Sequence, residues 1–107
     1  MTRRYRLYTA LLLTILSAAI HAQHYTISGY VSDAVADETM IGATLYDHTS
    51  GSGTVTNAYG FYSLTLPTGE VELTASYVGY TPLTKRFVLT RDTVVNMALH
   101  PHSALEE

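Results

Sequence analysis

Ser76-Tyr77-Val78-Gly79-Tyr80 closes one alternating segment and opens another. Before it, Val71, Leu73, Ala75 and Tyr77 fall on one side of an extended chain, and Glu70 and Glu72 fall on the other. After it, a second segment begins near Leu83. A repeat of two is the period of a half-buried strand, and Gly79 can turn the chain between two of them. Upstream, Gly53-Thr54-Val55-Thr56-Asn57-Ala58-Tyr59-Gly60-Phe61-Tyr62-Ser63-Leu64 has the same form, with its turn at Asn57–Gly60. These two stretches predict a small all-β domain built on tight glycine turns.

Outward from them, the same reading covers residues 25–101. Tyr25, Ile27, Gly29 and Val31 alternate with Thr26, Ser28, Tyr30 and Ser32, a first strand. Asp33 to Met40 is small and polar and reads as a loop. Gly42 to Asp47 is a second strand, His48 to Gly53 a flexible turn, and Val55 the centre of a short third strand. Tyr62, Leu64 and Leu66 share one face of a fourth, ended by Pro67-Thr68-Gly69. The fifth runs Val71 to Tyr77. Leu83 to Leu89 is the sixth, with Pro82 at its start, where a missing N–H costs no ladder bond. Arg91-Asp92 turns the chain, Val95, Met97 and Leu99 line a seventh, and Pro101 stops it. Seven short strands at this spacing predict a Greek-key β-sandwich. No helical period follows residue 22, and no internal repeat is present.

Residues 1–22 are of another kind. Arg3, Arg4 and Arg6 precede an apolar run, Leu7 to Ile20, closed by Ala22. A positive start, an apolar middle and a small closing residue are the parts of a secretory signal peptide, with cleavage leaving Gln23 first. The run is about 14 residues, short of the roughly 20 that span a bilayer. No cysteine near the cut could carry a lipid. The expected mature chain, from residue 23, keeps three basic residues against nine acidic ones, a formal charge of −6. That excess argues against nucleic acid, whose phosphates need clustered cations, and Lys85-Arg86 is the only basic pair. The chain has no cysteine, so an exported domain of this size must rest on its apolar core, which at about 85 residues buries roughly 60–65% of the unfolded surface.

Groups that could do chemistry are few. Glu70 and Glu72 stand on one side of a strand, roughly 6–7 Å apart, a separation used in glycoside hydrolysis; a solvated strand face is the plainer reading. His24, His48, His100 and His102 lie in separate segments without a tight ligand spacing and read as surface residues. The acids of Asp33 to Glu38 offer oxygens of the kind calcium takes, but follow no ligand spacing. There is no Gly-x-Ser-x-Gly elbow and no phosphate loop; Gly51-Ser52-Gly53 is too short and precedes no helix. We therefore expect no catalytic residue, no cofactor site and no metal site. Of the tyrosines, Tyr62 and Tyr77 follow the inward faces, whereas Tyr30 and Tyr46 lie on the opposite faces and suit a contact surface.

The order of motifs resembles a known family. Ile27-Ser28-Gly29-Tyr30-Val31-Ser32-Asp33, Ile41-Gly42-Ala43-Thr44-Leu45, Gly53-Thr54-Val55-Thr56-Asn57, Gly60-Phe61-Tyr62-Ser63-Leu64 and Ser76-Tyr77-Val78-Gly79-Tyr80 follow one another as in the carboxypeptidase D regulatory-like domain. The resemblance covers about residues 25–101 and implies a transthyretin (prealbumin)-like sandwich. The sequence departs from the family at two places: Met40-Ile41 stands where Pro-Leu is usual, and Asn57 where Asp is usual. In Bacteroidetes-type bacteria such a domain forms the N-terminal extension of TonB-dependent, SusC-like outer-membrane receptors. What the resemblance implies is a non-catalytic periplasmic domain that acts by protein–protein contact in nutrient uptake. Its partners would be periplasmic or outer-membrane proteins of that system, with no nucleic acid and no transmembrane span in the mature chain. Ser103-Ala104-Leu105-Glu106-Glu107 resembles the lead into the next receptor segment; residues 102–107 read as a tail or linker. The expectation is a receptor's leading domain cut short or a stand-alone relative. Two rivals follow: a free-standing secreted binding module for surface adhesion or carbohydrate, and a transthyretin-like hydrolase of purine breakdown. The hydrolases end in a Tyr-Arg-Gly-Ser-type tail that this chain lacks.

Overall fold

A computed structural model describes residues 23–102. The expected leader, residues 1–22, and residues 103–107 of the expected tail lie outside them. Eight strands run in the order β1 (His24–Asp33), β2 (Thr44–Asp47), β3 (Gly53–Val55), β4 (Phe61–Pro67), β5 (Gly69–Ser76), β6 (Leu83–Leu89), β7 (Thr93–Val94) and β8 (Met97–Leu99). They form two four-stranded sheets. In the first, β1 lies between β4 and the β7/β8 pair; the second has the order β3-β2-β5-β6. This is an all-β sandwich with Greek-key links.

Each sheet is organised by its longest regular strand. β1 has no charged residue before Asp33 and presents Ile27, Gly29, Val31 and Asp33 to the interior. It pairs antiparallel with β4, which sets Ile27 against Leu64 and Gly29 against Tyr62, so the inward residues of both strands coincide. β5 presents Val71, Leu73 and Ala75 inward, pairs antiparallel with β2 and β6, and sets Ala75 against Leu45 and Val71 against Phe87. The core between the sheets comprises Ile27, Val31, Met40, Ala43, Leu45, Tyr62, Leu64, Leu66, Val71, Leu73, Ala75, Leu89, Met97 and Leu99. All of it lies within the described residues, and among them no buried side-chain polar atom lacks a partner. Residues 23–102 thus carry a self-contained core.

Two elements differ from the sequence expectation. The seventh strand is two, β7 and β8, both parallel to β1 and in one register, with Ile27 opposite Thr93 and Val31 opposite Met97. The break falls at Val95-Asn96. There the Tyr30 N–H bonds to the Asn96 side-chain Oδ1 at 2.9 Å in place of a backbone carbonyl, and the Val95 carbonyl accepts the Tyr62 hydroxyl at 2.5 Å. Side chains have taken over a stretch of the ladder. Gly29 is what allows this approach, because a Cβ on it would overlap the Val95 carbonyl oxygen.

The second difference is Tyr77. β5 ends at Ser76, and Tyr77 enters the turn that leads to Tyr80, whose N–H donates to the Tyr77 carbonyl at 3.0 Å. Gly79 holds a φ of 89° in that turn. The expected inward tyrosine is therefore exposed, since the alternation that would bury it stops one residue early.

The remaining loops are held by short polar side chains. Asn57 Oδ1 accepts the N–H groups of Tyr59 (2.9 Å) and Phe61 (3.1 Å), and Gly60 has a φ of 76°. Buried Thr56 donates its hydroxyl to the Met40 carbonyl at 2.6 Å and accepts the Ala43 N–H at 2.9 Å, which pins the chain entering β2. Lys85 faces the same way as Leu73, its partner on β5, yet remains exposed. β6 is an edge strand, and Lys85 Nζ reaches over the rim to the Asn96 carbonyl at 2.8 Å. A charge directed inward from an edge discourages a further strand from adding there.

Candidate contact surface

The chemical groups weighed from the sequence are brought to different parts of the sandwich. Glu70 and Glu72 do lie on the outer side of β5, but Glu72 is ion-paired with Arg86 across the β5–β6 ladder at 2.9 Å. His48 is on the outer face of the second sheet, with its Nε2 2.9 Å from Thr74 Oγ1 and its ring edge-on to Tyr46 at 4.9 Å. His24 opens β1, and His100 and His102 follow β8. Among the described residues no three His, Cys, Asp or Glu side chains are placed to hold a metal ion. No helix among these residues is long and apolar enough to cross a membrane.

Two aspartates have structural occupations that hydropathy does not reveal. Asp47 ends β2 and is buried. Its Oδ1 accepts the Glu72 N–H at 2.9 Å and the Thr49 N–H at 3.3 Å, and its Oδ2 accepts the Ser50 N–H at 3.0 Å. Burial pushes this carboxyl up, but the hydrogen bonds from Ser50, Glu72 and Thr49 outweigh it and hold the pKa below the usual carboxylate range. The glycine-rich turn after it is thereby fixed to β5. Asp33 ends β1. It accepts the Val35 and Ala36 N–H groups at 2.7 and 3.0 Å through Oδ1, and the Tyr80 hydroxyl at 2.5 Å through Oδ2. The Tyr80 hydroxyl chiefly, then the Ala36 and Val35 N–H groups, lower its pKa against a smaller opposing effect of burial; nearby His100 lowers it further. The oxygens of Asp33, weighed above as calcium ligands, are engaged in closing the loop.

That hydrogen bond identifies what Ser76–Tyr80 does. Tyr80 ties to the end of β1 through its hydroxyl, its backbone bridges Pro101 beyond β8, and the Gly79 carbonyl accepts the His102 N–H at 2.8 Å. His102, the first residue of the expected tail or linker, is thereby bonded to the Ser76–Tyr80 turn through its backbone N–H. The motif joins both sheets at one end of the sandwich, and that end is also where the surface is concave. An open cleft of about 680 Å³ lies between Gly42–Thr44 and the turn from Ser76 to Pro82. A smaller hollow of about 260 Å³ adjoins it, formed by Glu38, Thr39, Met40 and Ile41 with Asp33. Tyr77 and Tyr80 line both, their rings tilted at 59° with centroids 5.7 Å apart.

Tyr30 and Tyr46 are exposed, as the alternation predicted, but they belong to different sheets, with Tyr30 against Phe61 at 5.4 Å and Tyr46 against His48. They do not make one surface. Tyr77 does belong to a concave one, and the sequence reading had placed it in the core. The signal that could have found it is Gly79 so soon after Tyr77, since a left-handed turn residue needs room to leave the strand.

Known proteins with this architecture have diverse roles. The chain resembles catechol 1,2 dioxygenase from Acinetobacter radioresistens (TM-score 0.61, 15% identity, 82% of this chain and 55% of that one). It also resembles 5-hydroxyisourate hydrolase from Klebsiella pneumoniae (TM-score 0.58, 23% identity, 74% of this chain and 92% of that one). A third is a pilus 2b backbone protein of group B streptococcus (TM-score 0.57, 14% identity, 78% of this chain and 43% of that one). At such identities the likeness is one of fold. The chain spans about half the length of the dioxygenase. No curated protein matches it. A family model, in contrast, matches residues 27–107, from the first inward residue of β1 through the whole sandwich. The strand order, the Ser76–Tyr80 tie and this match agree: the chain belongs to the CarboxypepD_reg-like domain family.

Proposed function

We propose that the chain is a non-catalytic, exported contact domain of a TonB-dependent outer-membrane nutrient receptor, acting in uptake through protein–protein contacts in the periplasm. The family match over residues 27–107 carries this reading, together with the resemblance of the motif order to that of the leading domains of such receptors. The site chemistry supports the absence of catalysis. Asp33 and Asp47 serve loop closure, Glu72 is paired, and His48 bonds to a strand hydroxyl. A general base needs a reacting group within hydrogen-bond reach, and these side chains are already directed at neighbours within the fold. Arg3, Arg4, Arg6 and the apolar run before Ala22 support export.

The test is an in-frame deletion of residues 24–101 in the producing bacterium. Fractionation should place the undeleted protein with the outer membrane, and the deletion should impair uptake while the receptor still reaches the membrane and binds its nutrient. Unimpaired uptake would contradict the receptor reading and favour a free-standing surface module.

A further inference from the structure

We propose that the Tyr77/Tyr80 end of the sandwich docks an extended apolar segment of a partner protein that carries a lysine or arginine. This rests on the reading of the domain as a contact module and names where the contact is made and with what chemistry. Three observations meet there. Val78, at the tip of the turn, is 94% exposed, and Ile41, across the hollow, is 61% exposed. Aliphatic groups so placed beside a cleft gain from being covered. Between them, Tyr77 presents a ring that its neighbour Tyr80 holds at a fixed tilt, and Tyr80 is itself anchored by Asp33.

The ionisable residues that line the smaller hollow, apart from the tyrosines, are the acids Asp33 and Glu38. Glu38 lines the hollow with the two tyrosines, and Asp37, held at a φ of 57°, is next to it in the chain. Neither is ion-paired among the described residues, and no Lys or Arg lines either hollow. A tyrosine face beside an unpaired carboxylate attracts a cation and repels an acidic peptide or a phosphate. Lys85 and Arg86 on β6 are engaged away from these hollows, Lys85 by the Asn96 carbonyl and Arg86 by Glu72. The aliphatic groups favour a peptide over a sugar. A glycan would leave Ile41 and Val78 uncovered, and one hydroxyl that could bond to it, Tyr80 Oη, already donates to Asp33.

Residues 23–102, isotopically labelled, are titrated with the blocked peptide Val-Lys-Val-Arg-Val, with Val-Glu-Val-Asp-Val and with maltohexaose, and amide shifts are followed. The basic peptide should move Ile41 to Thr44 and Ser76 to Tyr80 in a saturable way that weakens with salt. Tyr77→Ala should weaken it about two- to fivefold, the size of an exposed cation–π contact, with Tyr77→Phe restoring the affinity, and Glu38→Gln should weaken it by up to about fivefold, the size of an exposed ion pair. Both positions are surface ones, so unchanged shifts of Leu64 and Leu66 will show that the variants are folded. No saturable shift, shifts centred elsewhere, equal binding of the acidic peptide, or a response to maltohexaose alone would each overturn the proposal. The uptake phenotype of the deletion strain is read separately: impaired uptake with an unresponsive cleft removes this docking site but leaves the receptor reading standing.

Discussion

Tyr62 and Tyr77 both follow inward faces in the sequence pattern, and the fold treats them oppositely. Tyr62 is within β4, is 1% exposed, and has its hydroxyl on the Val95 carbonyl. Burial pushes that hydroxyl up to about 12. The stability this represents is present below the pKa of an unfolded tyrosine, about 10, and is lost as pH rises toward 12. In an ultraviolet titration Tyr62→Phe should remove an ionisation near pH 12 that the parent shows. The same variant leaves the Val95 carbonyl without its partner and should lower stability by about 1–3 kcal/mol in urea unfolding. Asp47 gives a prediction of the opposite sign in pH. Folding favours its ionised form, so its contribution is present above the usual carboxylate range and is lost as pH falls through the lowered folded value. Asp47→Asn should be less stable than the parent at neutral pH and should lose less on acidification. An equal loss on acidification would mean that another carboxylate governs the acid limb. The inward side of Tyr62 and the place of Asp47 at the end of a strand are legible in the sequence, but their hydrogen bonds are not: only the β2–β5 pairing reveals that the Glu72 N–H needs an acceptor at Asp47.

At the scale of the element, alternation did most of the predicting. The β6 bounds, Leu83–Leu89, follow from period two with Pro82 and Thr90 outside them, and the inward set Val71, Leu73 and Ala75 is buried as expected. Leu73→Ala should therefore cost about 2–5 kcal/mol. Glu72→Ala, on the outer face, loses one exposed ion pair and should cost under about 1 kcal/mol. Similar denaturation midpoints for the two would mean that β5 is displaced by one residue. Alternation failed where side chains replace backbone in the ladder. The break between β7 and β8 depends on Asn96 Oδ1 serving as a carbonyl and on Gly29 admitting the Val95 backbone, and periodicity encodes neither. Gly29→Ala should destabilise by about 1–3 kcal/mol through overpacking, measured by thermal unfolding. A neutral effect would mean that β1 and the 95–96 segment are farther apart than the structure has them.

For the whole molecule, the sandwich and its family were legible because strand spacing and turn glycines are local signals, and the described residues contain little else. The candidate contact surface was only partly legible. It is assembled from Ile41–Thr44, Ser76–Pro82 and the end of β1, which come together only once both sheets have formed. The tyrosine that centres it is the one whose strand ends early. Uptake in two strains tests the proposal that this domain works by contact and performs no chemistry. One strain lacks residues 24–101; the other retains them with Glu70→Gln, Glu72→Gln, His48→Gln and His100→Gln, which removes the carboxylate pair and two of the histidines while leaving Asp33, Asp47 and the tyrosines in place. Uptake should be impaired in the first strain and parental in the second. Loss of uptake in the second strain, with its domain folded and exported normally, would contradict the proposal.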